Sequence, residues 1–144
     1  MIVQDILTAK GSNVKSVNPS DTLQSLSRRL LEEKIGAMVV LEDGSKLCGI
    51  ISERDVVRGV ALHGIEALGR PVSAFMTRDV VTCSPKDSLF GVAKLMTSRR
   101  IRHLPVSENG KMAGMISIGD VLNHRLEELQ LEANVLRDYS IALK

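Results

Sequence analysis

The ten residues GIISERDVVR at 49–58 return sixty-five positions later as GMISIGDVLN. Both run glycine, apolar residue, isoleucine, serine, two variable positions, aspartate, valine. The match extends outward: Thr8 aligns with Thr77, Pro19 with Pro85, Asp21 with Asp87, Leu23 with Leu89 and Gly44 with Gly110. A chain written this way must fold from one unit used twice. The boundaries that follow are 1–62 for the first repeat, 63–71 for a glycine-rich connector, 72–128 for the second repeat and 129–144 for a helical extension.

Each copy reads alike. In NPSDTLQSLSRRLLEEK, Leu23, Leu26, Leu30 and Leu31 fall at helical spacing behind a Ser-Asp start suited to capping. SPKDSLFGVAKLMTSRR repeats this with Leu89, Val92, Ala93 and Met96. The runs IGAMVVLEDGSKLCGIIS and IRHLPVSENGKMAGMIS each surround Asp-Gly or Asn-Gly, a strong local hairpin signal. A second helix is predicted after each serine. The unit is therefore strand, helix, strand, turn, strand, helix: an α/β (α+β) arrangement with a small three-stranded sheet and two helices. Two copies packed face to face would cover the open sides of the sheets. A chain of 144 residues buries roughly 68–70% of its unfolded surface, enough to need no disulfide or metal.

With no Trp, one Tyr and two Phe, the core must be aliphatic, and stacking platforms for single-stranded nucleic acid are lacking. The net charge of +2 is spread along the chain, whereas a duplex partner calls for a basic stripe. The longest apolar run, AMVVL, falls far short of the ~20 residues of a membrane span. The opening MIVQDILTAKGS lacks the layout of a secretory signal. No nucleic acid, no membrane and a cytoplasmic location are expected. Cys48 and Cys83 have no CxxC spacing and read as small buried hydrophobes. Three scattered histidines make no metal site.

The MT of the second copy's opening, SP.D before the first helix, HLPV on the middle strand and G.IS..D before the second helix, in tandem over about residues 2–128, resemble cystathionine-β-synthase (CBS) domains. The resemblance implies a Bateman module: two pseudo-symmetric CBS repeats face to face, pairing as a homodimer and sensing adenosine-containing ligands. The chain leaves no room for an attached enzyme, so a stand-alone regulatory module acting on a partner protein is expected.

Two roles fit the repeated Ser and Asp. In a capping box, the serine at the N-cap accepts from the N3 amide while the N3 acid reaches back to the N-cap amide. Alternatively, a strand running into a helix N-terminus suits an anion, and its carboxylate can take ribose hydroxyls. The resemblance implies the second role for Ser52, Asp55, Ser117 and Asp120. For phosphate, the first repeat carries Arg54 and Arg58, and the second carries Arg102 and His103. Each copy keeps a different half of the basic set, and the expectation is that the halves converge across the cleft. His103 also fits a half-buried strand position, and Arg99 and Arg100 suit a helix C-terminus. The resemblance implies an adenine slot from Ser16, Val17, Val81, Thr82 and Cys83, with Met38, Met76, Ile101 and Pro105 against it; such apolar positions also suit plain core.

Leu122, Leu126, Leu129, Ala133 and Leu136 follow 4-3-4-3 spacing, an apolar seam of about two heptads expected to meet a second subunit. No Gly-rich phosphate loop, HExxH motif, nucleophile elbow or local Cys-His pair supports catalysis, so neither an enzyme nor a catalytic cofactor is expected. The regulatory ligand is expected to be AMP, ADP, ATP or NAD; the arginines favour phosphates over S-adenosylmethionine. The competing reading is a dimeric protein-interaction module with a degenerate ligand site.

Overall fold

The computed structural model describes residues 1–143, so Lys144 of the expected extension lies outside the described residues. Among these residues there are five α-helices: α1 (Val3–Lys10), α2 (Leu23–Glu33), α3 (Glu53–His63), α4 (Leu89–Arg99) and α5 (Ile118–Ala142). The strands are β1 (Ser16–Val17), β2 (Ala37–Glu42), β3 (Lys46–Ser52), β4 (His103–Glu108) and β5 (Lys111–Ser117). The fold is mixed α/β, as the repeat predicts. One sheet has the order β1-β2-β3, with β1 parallel and β3 antiparallel to β2. The other has two strands, β4-β5. Its expected third strand at 81–83 is reduced to one parallel bridge, Cys83 to Val106, with the Cys83 amide donating to Pro105 at 3.0 Å. Both hairpin turns have positive φ where the sequence places Asp-Gly and Asn-Gly: 53° and 72° at Asp43-Gly44, 53° and 77° at Asn109-Gly110.

The compact units cut across the repeats. Unit I comprises residues 13–81 and 109–112; unit II comprises 1–12, 82–108 and, of the described residues, 113–143. The opening segment of each repeat thus belongs to the unit built on the other. The same bonds fix both. In unit II, the first amides of α1, at Val3 and Gln4, donate to the carbonyls of Asp87 and Pro85 at 2.9 and 2.8 Å. In unit I, the amides of Val72 and Ser73 donate to Asp21 and Pro19 at 2.7 and 3.0 Å. Helix-start amides lack intrahelical acceptors, and here the turn ahead of α2 or α4 supplies them. The SP.D motif and its counterpart NPSD are docking stations. They are not the caps of α2 and α4: Thr22 and Ser88 fill that role, accepting from the Ser25 and Gly91 amides at 3.1 and 3.0 Å.

The connector is also more than a tether. Gly64–Gly69 forms a 3-10 turn whose Ala67 is fully buried in unit I with Val17, Leu23, Leu26, Leu30, Met38, Val40, Ile51 and Val72. In unit II the buried positions include Ile6, Leu7, Leu89, Val92, Met96, Leu104, Val106, Ile116 and Val121. Both cores are aliphatic, as the composition dictates, with Phe75 packed half-buried against that of unit I.

The glycine that opens the repeated phrase now has a physical reason. The docked segment crosses β3 or β5 so closely that a Cβ has no room. At Gly49 it would lie 2.7 Å from Met76 Sδ and 2.9 Å from the Thr77 carbonyl oxygen; at Gly114, 2.6 Å from Leu7 Cδ2. Met76 and Leu7 hold equivalent positions in the two openings. Thr77 also bridges Ile50 through two backbone hydrogen bonds, of 2.8 and 3.0 Å, so it cannot retreat cheaply. Gly49→Ala is expected to destabilise the protein by about 1–3 kcal/mol, the usual cost of overpacking. Gly114→Ala, facing a side-chain methyl, is expected to cost less. Urea denaturation of both variants checks the order.

Candidate functional site

Two strand-to-helix corners carry the repeated phrase: β3 into α3 in unit I, β5 into α5 in unit II. Both are capping boxes. The Ser52 amide donates to Asp55 Oδ2 at 2.9 Å while the Asp55 amide donates to Ser52 Oγ at 3.4 Å. The Ser117 amide donates to Asp120 Oδ2 at 2.9 Å and the Asp120 amide to Ser117 Oγ at 3.1 Å. The first helical amides are held as well, Glu53 by the Gly36 carbonyl and Ile118 by the Arg102 carbonyl, at 3.0 and 2.8 Å. That last bond puts the Arg102-His103 segment directly beside the second corner.

The two carboxylates differ in what remains of them. Asp55 is 5% exposed, and its Oδ2 also accepts from Ser52 Oγ at 3.2 Å while Arg58 approaches Oδ1 at 3.4 Å. Both oxygens are committed. Asp120 is 25% exposed, and its Oδ2 accepts from Lys10 Nζ at 2.7 Å. Its Oδ1 takes no hydrogen bond among the described residues. Lys10 also donates to the Met115 carbonyl at 3.2 Å. Burial works to raise the Asp120 pKa, but the hydrogen bonds from Lys10 and Ser117, with the Lys10 charge, outweigh it and hold the group below its ordinary 3.8.

The remaining candidates sort by unit. Unit I holds Ser16, Val17, Met38, Arg54, Arg58, Met76 and Val81; unit II holds Thr82, Cys83, Ile101, Arg102, His103 and Pro105. Arg54, Arg58 and Arg102 are exposed, His103 half-buried. Among the adenine candidates, Val17 and Met38 belong to the unit I core, and Cys83 and Pro105 are buried too. Burial, with a smaller contribution from the Asp87 charge, pushes the Cys83 thiol up to about 12. It is an inert packing residue. Ser16, Met76, Val81 and Ile101 are half-buried and Thr82 exposed. Lys10 went unselected in the sequence, because its partner lies 110 positions away and only the exchange of opening segments joins them.

A groove of about 570 Å³ runs between α2 and α3 in unit I, lined by Leu30, Leu31, Lys34, Ile35, Val56 and Val57 among others, and by none of the candidates above. Among the described residues, no group of three His, Cys, Asp or Glu could hold a metal ion, and no helix is long and apolar enough to cross a membrane.

The family model of the CBS domain matches twice, over residues 3–62 and 72–127. The chain belongs to the CBS-domain family. A CBS-domain-containing protein of Agrobacterium tumefaciens is 41% identical in sequence, with a TM-score of 0.84 over 86% of this chain and 92% of that one. A mitochondrial CBS-domain-containing protein of Arabidopsis thaliana is 31% identical over 95% of this chain and 70% of its own length. A CBS-domain pair solved with 5-methylthioadenosine and S-adenosyl-L-methionine shares the fold, with a TM-score of 0.78 over 89% and 98% of the two chains, at 20% identity. Some members of this fold therefore take adenosine-containing ligands.

The depressed Asp120 pKa fixes the sign of a pH effect. A carboxylate with a lowered folded-state pKa adds stability above its unfolded value and loses it as pH falls through the folded one. The stability difference between wild type and Asp120→Asn should be constant above about pH 5 and shrink on acidification below about 3.9. Lys10→Met should move the Asp120 titration up, since burial then opposes only the Ser117 bonds. Denaturant unfolding at stepped pH and carboxyl NMR titration read the two effects.

Proposed function

We propose that this CBS-domain protein is a non-catalytic regulatory module that binds a phosphorylated adenosine ligand (AMP, ADP, ATP or NAD-type) and passes its occupancy to a partner protein. One observation carries the reading. Asp120 is a partly exposed, ionised carboxylate whose Oδ1 takes no hydrogen bond among the described residues, seated at a helix N-terminus beside Arg102 and His103. The carboxylate offers acceptors to ribose hydroxyls, and the helix N-terminus and guanidinium favour phosphate. Thr82 and Ile101, in the same unit, are the accessible candidates for the base. The first corner supports the reading less, since Asp55 is buried and fully engaged; it is the weaker of the two.

We also propose a homodimer through α5. Leu122, Leu126, Leu129 and Leu136 are all exposed along one continuous 25-residue helix, and Leu129, the least exposed, is still 48% so. A seam with a period near 3.5 residues is the pattern by which helices pair.

Thermal unfolding with AMP, ADP, ATP, NAD and S-adenosylmethionine tests the ligand reading. A ligand at a hundred times its Kd adds about 2.7 kcal/mol, a rise of several degrees for a chain of this size. The rise is expected with phosphorylated ligands, to be abolished in Asp120→Asn, and to be reduced less in Asp55→Asn. No shift with any of the five, from a folded sample, would favour a protein-interaction module instead. For the dimer, Leu126→Glu with Leu129→Glu should halve the mass measured by light scattering without lowering the melting temperature by more than the lost pairing explains. An unchanged mass would remove α5 from the interface.

A further inference from the structure

We propose that Lys10 is the specificity-determining residue of the second corner: a displaceable counter-ion that admits a phosphorylated nucleoside and disfavours an uncharged or cationic one. The inference rests on the ligand reading above and adds a residue to it.

Lys10 is the last residue of α1 and reaches Asp120 only because α1 docks in unit II. Its Nζ spans Asp120 Oδ2 and the Met115 carbonyl, at 2.7 and 3.2 Å. The other corner is wired differently. The position aligned with Lys10 is Asp79, and the cation on Asp55 is Arg58, one turn along the same helix. The second repeat has Asn123 where Arg58 stands, so its own helix offers Asp120 no such partner. Lys10 supplies from elsewhere in the chain the charge that the second repeat lacks at that position.

The consequence lies in how a carboxylate holds a diol. Two ribose hydroxyls use both oxygens, and Oδ2 already carries the Ser117 amide and the Lys10 ammonium. A ribose that spans both oxygens competes with Lys10 for Oδ2. Lys10 is already 41% exposed while it holds Asp120. A phosphate on the same ligand gives it a new charge-assisted partner. Adenosine and 5′-methylthioadenosine bring no anion, and a sulfonium adds a like charge. The exchange thus favours a phosphorylated ligand.

Calorimetric titration of wild type, Lys10→Met and Lys10→Arg with adenosine and with AMP tests this. Methionine keeps an unbranched apolar stem and good helix propensity. Wild type is expected to prefer AMP. Lys10→Met should bind AMP about tenfold more weakly and adenosine severalfold more tightly, opposite signs from one substitution. Lys10→Arg, keeping the charge, should retain the AMP preference. AMP and adenosine affinities that stay unchanged in Lys10→Met, or move together, would overturn the role of Lys10 while leaving the ligand site standing. No binding of AMP or adenosine by wild type would overturn the nucleotide reading, and this inference with it. A melt of Lys10→Met without ligand confirms that affinity changes do not reflect unfolding.

Discussion

The fold depends on the docking of each repeat's opening segment in the unit of the other repeat. The contact is made of backbone: two helix-start amides on the carbonyls of a Pro-x-Asp turn, and a chain crossing close over a strand glycine. Amides buried there without acceptors would each cost on the order of 1–3 kcal/mol. Neither unit is therefore complete within its own repeat. Unit II draws on residues 1–12 and on residues beyond 82, so its assembly closes a long loop, and such non-local contacts slow folding more than they affect stability.

Much of the local structure was legible because its causes are local. Asp43-Gly44 and Asn109-Gly110 specify tight turns through positive φ, and leucines at helical spacing specify α2 and α4. The serine of each repeated phrase caps the next helix, as its spacing to the aspartate implies. What was not legible is non-local. Pro19-x-Asp21 and Pro85-x-Asp87 look like helix starts, because a turn with an acid before an amphipathic run is what a cap looks like. Their carbonyls serve a different segment, and carbonyls leave no mark in a sequence. The glycines of the phrase were visible as a pattern but had no reason until Leu7 and Met76 were found over them. The shortened third strand of the second sheet was invisible for the same reason: pairing length depends on what lies alongside.

Capping and ligand binding are not rivals at these corners. A cap occupies one carboxylate oxygen and a diol spans both, so the question is what else each oxygen holds. At Asp55 Oδ1 faces Arg58 and the group is buried; at Asp120 the group is 25% exposed and Oδ1 takes no hydrogen bond among the described residues. Two copies of one phrase have thus diverged through their neighbours while keeping the residues that define it. Arg54 and Arg58 on one side, and Arg102 and His103 on the other, record the same divergence in the basic set. The adenine candidates were the least legible, since an apolar residue that lines a base and one that fills a core have the same sequence signature. Val17 and Met38 fall on the core side.

The exchange of opening segments also gives the second corner a mechanical link. Lys10 ties the C-terminal turn of α1 to both the β5 backbone and the carboxylate at the start of α5. On the assignment made above, a ligand that takes Asp120 must trade against a bond that helps seat α1. Ligand binding and α1 seating then share one free energy, and each must shift the other by the same amount. A phosphorylated ligand re-engages Lys10 and keeps the last turn of α1 held; an unphosphorylated one releases it. The chemical identity of the ligand would in this way be read out as the order of a helix that also carries the packing contact over Gly114. A module that acts through a partner, as proposed, needs some such coupling between its ligand site and the surface it presents.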